Sequence, residues 1–339
     1  MHAVGYQNPL PIAESAALVD IDLPKPAPAG RYLLVEIRAV SVNPVDTKVR
    51  RSAKPEPEQW KVLGWDAAGV VVAAGPDASL FKPGDEVFYA GALGRQGTNA
   101  EFHLVDERIV GAKPKSLNWA EAAALPLTAI TAWEALFDRL NVTTPVPGLA
   151  PVILIIGGAG GVSSIAIQLA SRHAGLTVIG TASRPESEKW VRELGAHYVI
   201  DHSKPLAPQV AALGLGAPAF VFSTTNTDTH LAEIAELIAP QGRFALIDDP
   251  ETLDVNPFKR KSVSVHWEFM FTRSMFETAD IDAQGALLNQ VSALIDDGTL
   301  RTTLGDTFGT INAANLKKAH TLIESGRAKG KIVLEGFMG

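Results

Sequence analysis

The chain of 339 residues contains no cysteine. That absence removes disulfides, thiolate nucleophiles, iron–sulfur clusters and cysteine-ligated zinc from its chemistry. Its eight histidines (His2, His103, His173, His197, His202, His230, His266 and His320) are scattered and form no HExxH-type pair, so metal chemistry has no signature here. No stretch nears the roughly 18 consecutive apolar residues of a membrane span. Met1–Tyr6 lacks the charged-then-apolar layout of a signal peptide. Positive charge is also short: 30 Lys and Arg face 37 Asp and Glu, a net charge of −7, which argues against nucleic acid or an anionic membrane as the main partner. These absences predict a soluble cytoplasmic protein. No internal repeat or low-complexity tract is visible.

What remains is an ordinary globular composition, 46% apolar, long enough for two domains. The region to about residue 126 reads as β-rich. Arg31–Val40 alternates like a strand, Gly69–Ala73 and Asp85–Tyr89 follow, and Gly75-Pro76-Asp77 and Lys82-Pro83-Gly84-Asp85 are turns. From 127 to 270 helix and strand alternate. Helices are expected at Leu127–Leu140, Glu186–Leu194 and His230–Ile238. Strands are expected at Val152–Ile156, Thr177–Thr181, His197–Ile200, Ala219–Phe222 and Arg243–Ile247. That pattern predicts a doubly wound parallel sheet. Residues 271–339, with helices at Ile281–Asp297 and Ala313–Glu324 and a strand at Lys331–Leu334, are expected to complete the first domain.

The most informative run is Val152–Ser163. A short apolar strand feeds Gly157-Gly158-Ala159-Gly160-Gly161-Val162, and a helical pattern begins near Ser164. Such a turn bares backbone N–H groups at a helix N-terminus, where a pyrophosphate can sit. Gly158 and Gly160 start a GxGxxG match, but Ser163 occupies the third glycine position. The candidate cofactor contacts are therefore Gly158, Ala159, Gly160, Gly161 and Val162. At the end of the next strand an NAD-preferring site usually carries a carboxylate for the ribose 2′-OH. Here the chain reads Ala182-Ser183-Arg184-Pro185, with no carboxylate before Glu186. A hydroxyl beside a guanidinium suits a 2′-phosphate, so NADP(H) is the expected cofactor. Alternatively, Ser183 caps the next helix and Arg184 is solvated. Lys189 either adds charge near that phosphate or lies on a solvated helix face. Ser223 and Thr224, at a strand end, either line the cofactor path or bond their own backbone.

Several motifs in order make the chain resemble the medium-chain dehydrogenase/reductase superfamily, in its zinc-free quinone oxidoreductase-like branch. They are Ser41–Lys48 (SVNPVDTK), Gly64–Val71 (GWDAAGVV), Lys82–Val87, Ala124–Trp133, the glycine turn and Gly330–Leu334. The resemblance implies a Rossmann dinucleotide domain plus a β-rich, GroES-like catalytic domain, and from relatives a homodimer. Zinc-dependent relatives place their ligands at positions corresponding to Asn43, Trp65 and Leu127, and a proton-relaying hydroxyl where Val45 stands. An indole and an alkyl side chain cannot ligate zinc.

Without a metal, nothing neutralises the alkoxide that forms when a plain ketone accepts hydride. A quinone or α,β-unsaturated carbonyl spreads that charge by conjugation. The expected activity is therefore NADPH-dependent hydride transfer to such an acceptor. The alternatives are reduction of other activated aldehydes or ketones, and an NADPH-binding sensor or structural protein with little turnover.

Four catalytic candidates follow. Asn43 either bonds the substrate oxygen or caps its own turn. Asp46 either orders a water or Lys48, or acts as a local helix cap. Trp65 is an aromatic wall or a core residue, and Tyr89 a phenolic proton donor or an ordinary strand-end tyrosine. On the cofactor side the resemblance adds Thr131 near the nicotinamide, Phe271 in the apolar segment Phe269–Arg273, and Lys331.

Overall fold

β-branched and apolar alternation drives the first unit. The chain opens with β1 (His2–Tyr6), β2 (Val19–Asp22), β3 (Tyr32–Val42), α1 (Pro44–Ser52), β4 (Lys61–Val62), β5 (Ala67–Ala74) and β6 (Glu86–Tyr89). β7 (Phe102–Asp106), β8 (Val110–Ala112), α2 (Trp119–Ala123) and α3 (Pro126–Trp133) follow. This computed structural model describes residues 1–337.

The parallel sheet comes next. Its strands are β9 (Val152–Ile156), β10 (Thr177–Thr181), β11 (Tyr198–Ile200), β12 (Phe220–Ser223), β13 (Arg243–Leu246) and β14 (Ser264–Trp267). Between them run α4 (Gly161–Gln168), α5 (Pro185–Glu193), α6 (Leu206–Ala212) and α7 (Thr227–Leu237). The strand order is β11-β10-β9-β12-β13-β14 and every pairing is parallel. Winding reverses between β9 and β12, so the glycine turn after β9 lies at the switch point where such sheets take ligands. All five side chains of β9 are buried, as expected for a strand covered on both faces.

The chain then adds α8 (Thr272–Phe276), α9 (Ala283–Asp296), β15 (Leu304–Thr307), α10 (Ala313–Glu324) and β16 (Lys331–Glu335). β16 pairs antiparallel with β3, setting Ile332 opposite Val42 and Val333 opposite Ser41. The larger sheet of this unit runs β15-β16-β3-β5-β6-β8, with β7 also on β3. Chain contacts separate residues 1–130 with 271–339 from residues 131–270. The expected fold class, a doubly wound sheet domain plus a β-rich domain, is the observed one.

Local differences have local causes. The helix expected over Leu127–Leu140 is α-helical only to Trp133 and continues as a π-helix over Glu134–Arg139. β14 and α6 are absent from the sequence expectation. β14 is a half-exposed edge strand with no apolar run to announce it. In the apolar segment Phe269–Arg273, Phe271 precedes the short helix α8.

Candidate functional site

The α1 motif and the strand motif meet in a closed polar cluster inside the first unit. Asn43, Asp46, Asp66 and Lys331 are each at most 3% exposed. The Lys331 ammonium donates to Asp66 Oδ2 at 3.0 Å, to the Val42 carbonyl at 3.2 Å and to Asn43 Oδ1. Asn43 Nδ2 donates to Asp66 Oδ2 at 2.8 Å and, at 3.4 Å, to the Ser41 carbonyl. Asp66 Oδ1 accepts the Leu127 N–H at 2.7 Å, capping the start of α3 from the residue that precedes β5. Asp46 Oδ2 accepts the Asn43 N–H at 2.8 Å, the carboxylate arm of a capping box on α1.

This closure bears on three expectations. Both amide hydrogens of Asn43 have acceptors, so no donor is left for a substrate oxygen. Asp46 is the helix cap, the second of its two expected roles. Lys331, expected on the cofactor side, has three donors and three acceptors within the cluster, leaving none for a phosphate. Two carboxyls here share one ammonium. Burial pushes the Asp46 carboxyl up to about 7, against its N–H bonds and Lys331. Burial also raises Asp66, with Lys331 opposing.

Trp65 is fully buried; its indole N–H meets the Ala92 carbonyl at 3.3 Å, and its ring lies edge-on to Phe271, centroids 6.3 Å apart. It is a core residue with Phe271, not an open wall for a planar substrate. Tyr89 is fully buried as well and stacks on His103. Its hydroxyl lies 3.1 Å from His103 Nδ1, and His103 Nε2 lies 2.9 Å from the Gln96 carbonyl. A carbonyl only accepts, so Nε2 carries the imidazole hydrogen and Nδ1 is bare. The Tyr89 proton therefore points at His103. Burial holds Tyr89 well above the usual phenol range and His103 down to about 4, with Arg95 adding to the latter. A phenol donating inward to a neutral imidazole is not the expected proton donor to substrate.

The dinucleotide turn fits a bound pyrophosphate. Gly157 has φ +85° and its N–H reaches Thr181 Oγ1 at 3.0 Å; the Gly158 N–H reaches the Thr181 carbonyl at 3.1 Å. A Cβ on Gly158 would stand 2.7 Å from that carbonyl oxygen, so close packing requires glycine here. Gly160 is the N-cap of α4, and the first helix bond runs from the Ser164 N–H to its carbonyl. The Gly161 and Val162 N–H groups, in the first turn, are thus orphaned by the helix, and Ala159 to Val162 are only half-buried. Ser163 is buried, with its hydroxyl 3.0 Å from Thr224 Oγ1. Thr224 donates to the Ile156 carbonyl at 2.9 Å, so Ser163 is the donor between the two hydroxyls. The missing third glycine is absorbed by a hydrogen bond.

At the end of β10, Ser183 is exposed and Arg184, half-buried, is the N-cap residue of α5, so Ser183 is not the cap. The guanidinium touches Ser187 Oγ at 3.3 Å and Glu186 at 3.5 Å. Lys189 faces solvent and pairs loosely with Glu193, as on a solvated helix face. Ser223 is buried with its hydroxyl 2.8 Å from Thr227 Oγ1; Thr227 gives its proton to Asp248 Oδ1 at 2.5 Å, so Ser223 donates to Thr227 and its hydroxyl is structural. Thr131 is buried on α3. Sequence reasoning gave no role to Asp66, His103 or His202, whose Nδ1 lies 3.1 Å from Thr181 Oγ1. A carboxylate inside the otherwise apolar GWDAAG motif was the one available signal for Asp66.

Residues 30–115 match the alcohol dehydrogenase GroES-like domain, and residues 194–334 the zinc-binding dehydrogenase family. A zinc-type alcohol dehydrogenase-like protein of Staphylococcus aureus is 40% identical over 336 residues, covering 98% of this chain and 99% of its own. The chain belongs to the medium-chain dehydrogenase/reductase superfamily. A candidate zinc-dependent alcohol dehydrogenase from Rhizobium etli CFN 42 superposes with TM-score 0.98 at 69% identity, covering 100% of this chain and 99% of the other. A quinone oxidoreductase of Pseudomonas syringae pv. Tomato DC3000 gives TM-score 0.81 at 25% identity over 98% and 99%.

The zinc in several of those names does not fit this oxidoreductase. At the three positions that the resemblance assigns to ligands stand an amide, an indole and an isobutyl group, and the Lys331 ammonium is bonded to the Asn43 amide oxygen. Among the described residues no group of three His, Cys, Asp or Glu has the arrangement to hold a metal ion, and no helix is long and apolar enough to cross a membrane.

Proposed function

We propose that this oxidoreductase uses NADPH, without zinc, to reduce a quinone or an α,β-unsaturated carbonyl. The observation that carries the reading is the Lys331–Asp66–Asn43 network, a cation and its acceptors built into the region where zinc-dependent relatives keep their metal. With no Lewis acid to hold an alkoxide, the acceptor must spread the incoming charge itself.

When bound, NADPH supplies a hydride from nicotinamide C4. The chain's own groups bind and orient. The Gly157–Val162 turn receives the pyrophosphate at the α4 N-terminus. Ser183 and Arg184 take the 2′-phosphate, the guanidinium releasing its loose contact with Glu186. Since Tyr89 is committed to His103, the proton that completes the reduction comes from water.

The test is NADPH and NADH oxidation by the purified protein against parallel panels of quinones, enones and aldehydes, with and without a chelator. Turnover of quinones or enones with NADPH, unaffected by chelation, supports the reading. Loss of activity with zinc removal, or a better kcat/KM with NADH, overturns it. Turnover confined to aldehydes would favour the activated-carbonyl alternative, and NADPH binding without turnover the sensor.

We also infer a cytoplasmic homodimer. The edge strand β14 leaves Trp267 54% exposed, and Phe269 just beyond it is 47% exposed, an apolar edge that a second copy would cover. A monomeric mass by light scattering would remove this part.

A further inference from the structure

A cavity of about 560 Å³ opens in the first unit, lined by Leu23, Lys25, Val62, Arg95, Phe102 and His103 among others. Its size lies in the range of small-molecule sites, and its lining is largely apolar with a few charged groups. No aspartate or glutamate lines it, although the chain as a whole is acidic.

The cations at its rim lack carboxylate partners among the described residues. The Lys25 ammonium sits 3.5 Å over the Phe102 ring. Arg95 stacks on Tyr32 and donates to its hydroxyl at 3.0 Å. Behind them the Lys61 ammonium donates to the Arg95 carbonyl at 3.2 Å, and burial lowers its pKa with no acid to offset the effect. Glu101 and Asp22, each next in sequence to a lining residue, are engaged elsewhere, and Asp106 and Glu277 line a separate neighbouring pocket that Arg95 also borders. Glu101 accepts the His2 N–H at 2.8 Å, and Asp22 lies 2.7 Å from His2 Nδ1. Ring faces and carbonyl oxygens are weak substitutes for a carboxylate. An apolar cavity ringed by such cations is complementary to an anion carrying an apolar tail, because the tail gains by leaving water while the head meets charge of opposite sign.

We propose that this cavity binds an amphipathic monoanion, a medium-chain or aryl carboxylate, with the carboxylate between Lys25 and Arg95 and the tail along Leu23, Val62 and Phe102. The site uses none of the residues assigned to the dinucleotide. His103 forms one wall, so a bound tail would press on the imidazole that receives the Tyr89 proton.

The test is calorimetry on the full chain with decanoate, decanol and decyltrimethylammonium. Lys25→Glu and Arg95→Gln change exposed side chains and are expected to leave Tm unchanged. Decanoate should bind one to one, about tenfold tighter than decanol or the ammonium compound. Each variant should weaken decanoate about tenfold and leave decanol within about twofold. Decanoate binding no tighter than decanol, or unchanged in both variants, overturns the proposal. Because no cofactor enters the measurement, a failed dinucleotide assignment would leave this result standing.

Discussion

Lys331 Nζ and Asp66 Oδ2 lie 3.0 Å apart in the interior, 265 positions apart in sequence, and neither side chain is more than 3% exposed. One carboxylate oxygen of Asp66 also takes the Asn43 amide while the other holds the start of α3. The pair thus joins β16, α1, β5's leading turn and α3 in one knot.

Breaking that knot from one side leaves a buried charge uncompensated. Lys331→Met should destabilise the protein by about 3–5 kcal/mol, because Asp66 is then left without its cation. The double variant Lys331→Met/Asp66→Asn should recover part of the loss. Urea unfolding of the three variants and the wild type measures the coupling, and an additive cycle would show the pair to be inert.

The same cluster predicts an unusual pH dependence. Asp46 titrates near 3.8 when unfolded and near 7 when folded. Between those values the native state holds a proton that the unfolded chain has lost, so this group's contribution to stability falls as pH rises. The slope is at most about 1.4 kcal/mol per pH unit. It is fully favourable below the unfolded value and flattens above about 7. Other carboxylates, such as Asp106 with its Arg108 bonds, are lowered on folding and act in the opposite sense. The difference between wild type and Asp46→Asn across pH 5–8 isolates the term. Parallel curves would contradict it.

Tyr89→Phe should keep kcat within about threefold if the phenol is not the proton donor. The cost should appear in stability instead: about 1–3 kcal/mol, because His103 Nδ1 loses its buried partner. A hundredfold fall in kcat with unchanged Tm would restore Tyr89 to the chemistry.

Arg184→Gln should raise the KM for NADPH about tenfold or more while leaving NADH nearly untouched, since only the former carries the 2′-phosphate. Steady-state kinetics with both nucleotides decides this. Equal losses for both would mean that Arg184 serves the α5 N-terminus, where it already contacts Ser187, and not cofactor selection.

The glycine turn and the parallel sheet were legible because each is local. A buried strand, a run of glycines and an orphaned helix N-terminus are encoded within about a dozen residues. The catalytic candidates were less legible. Asn43, Trp65 and Tyr89 carry the right functional groups, but whether an amide, indole or phenol is free depends on partners that no local pattern names. His103 is an example: a lone histidine in the sequence, it decides the direction of the Tyr89 proton. β14 escaped notice because an edge strand needs no continuous apolar run.

The amino-acid order alone fixed the architecture and removed cysteine from any ligand set, since folding cannot add a side chain that the sequence lacks. Folding decided which polar groups are spent. The register of β16 on β3, Ile332 facing Val42, delivers Lys331 to the Asn43 amide and the Asp66 carboxylate. Hydrogen-bond valence is finite, so that one register turned three candidate functional groups into a closed interior network.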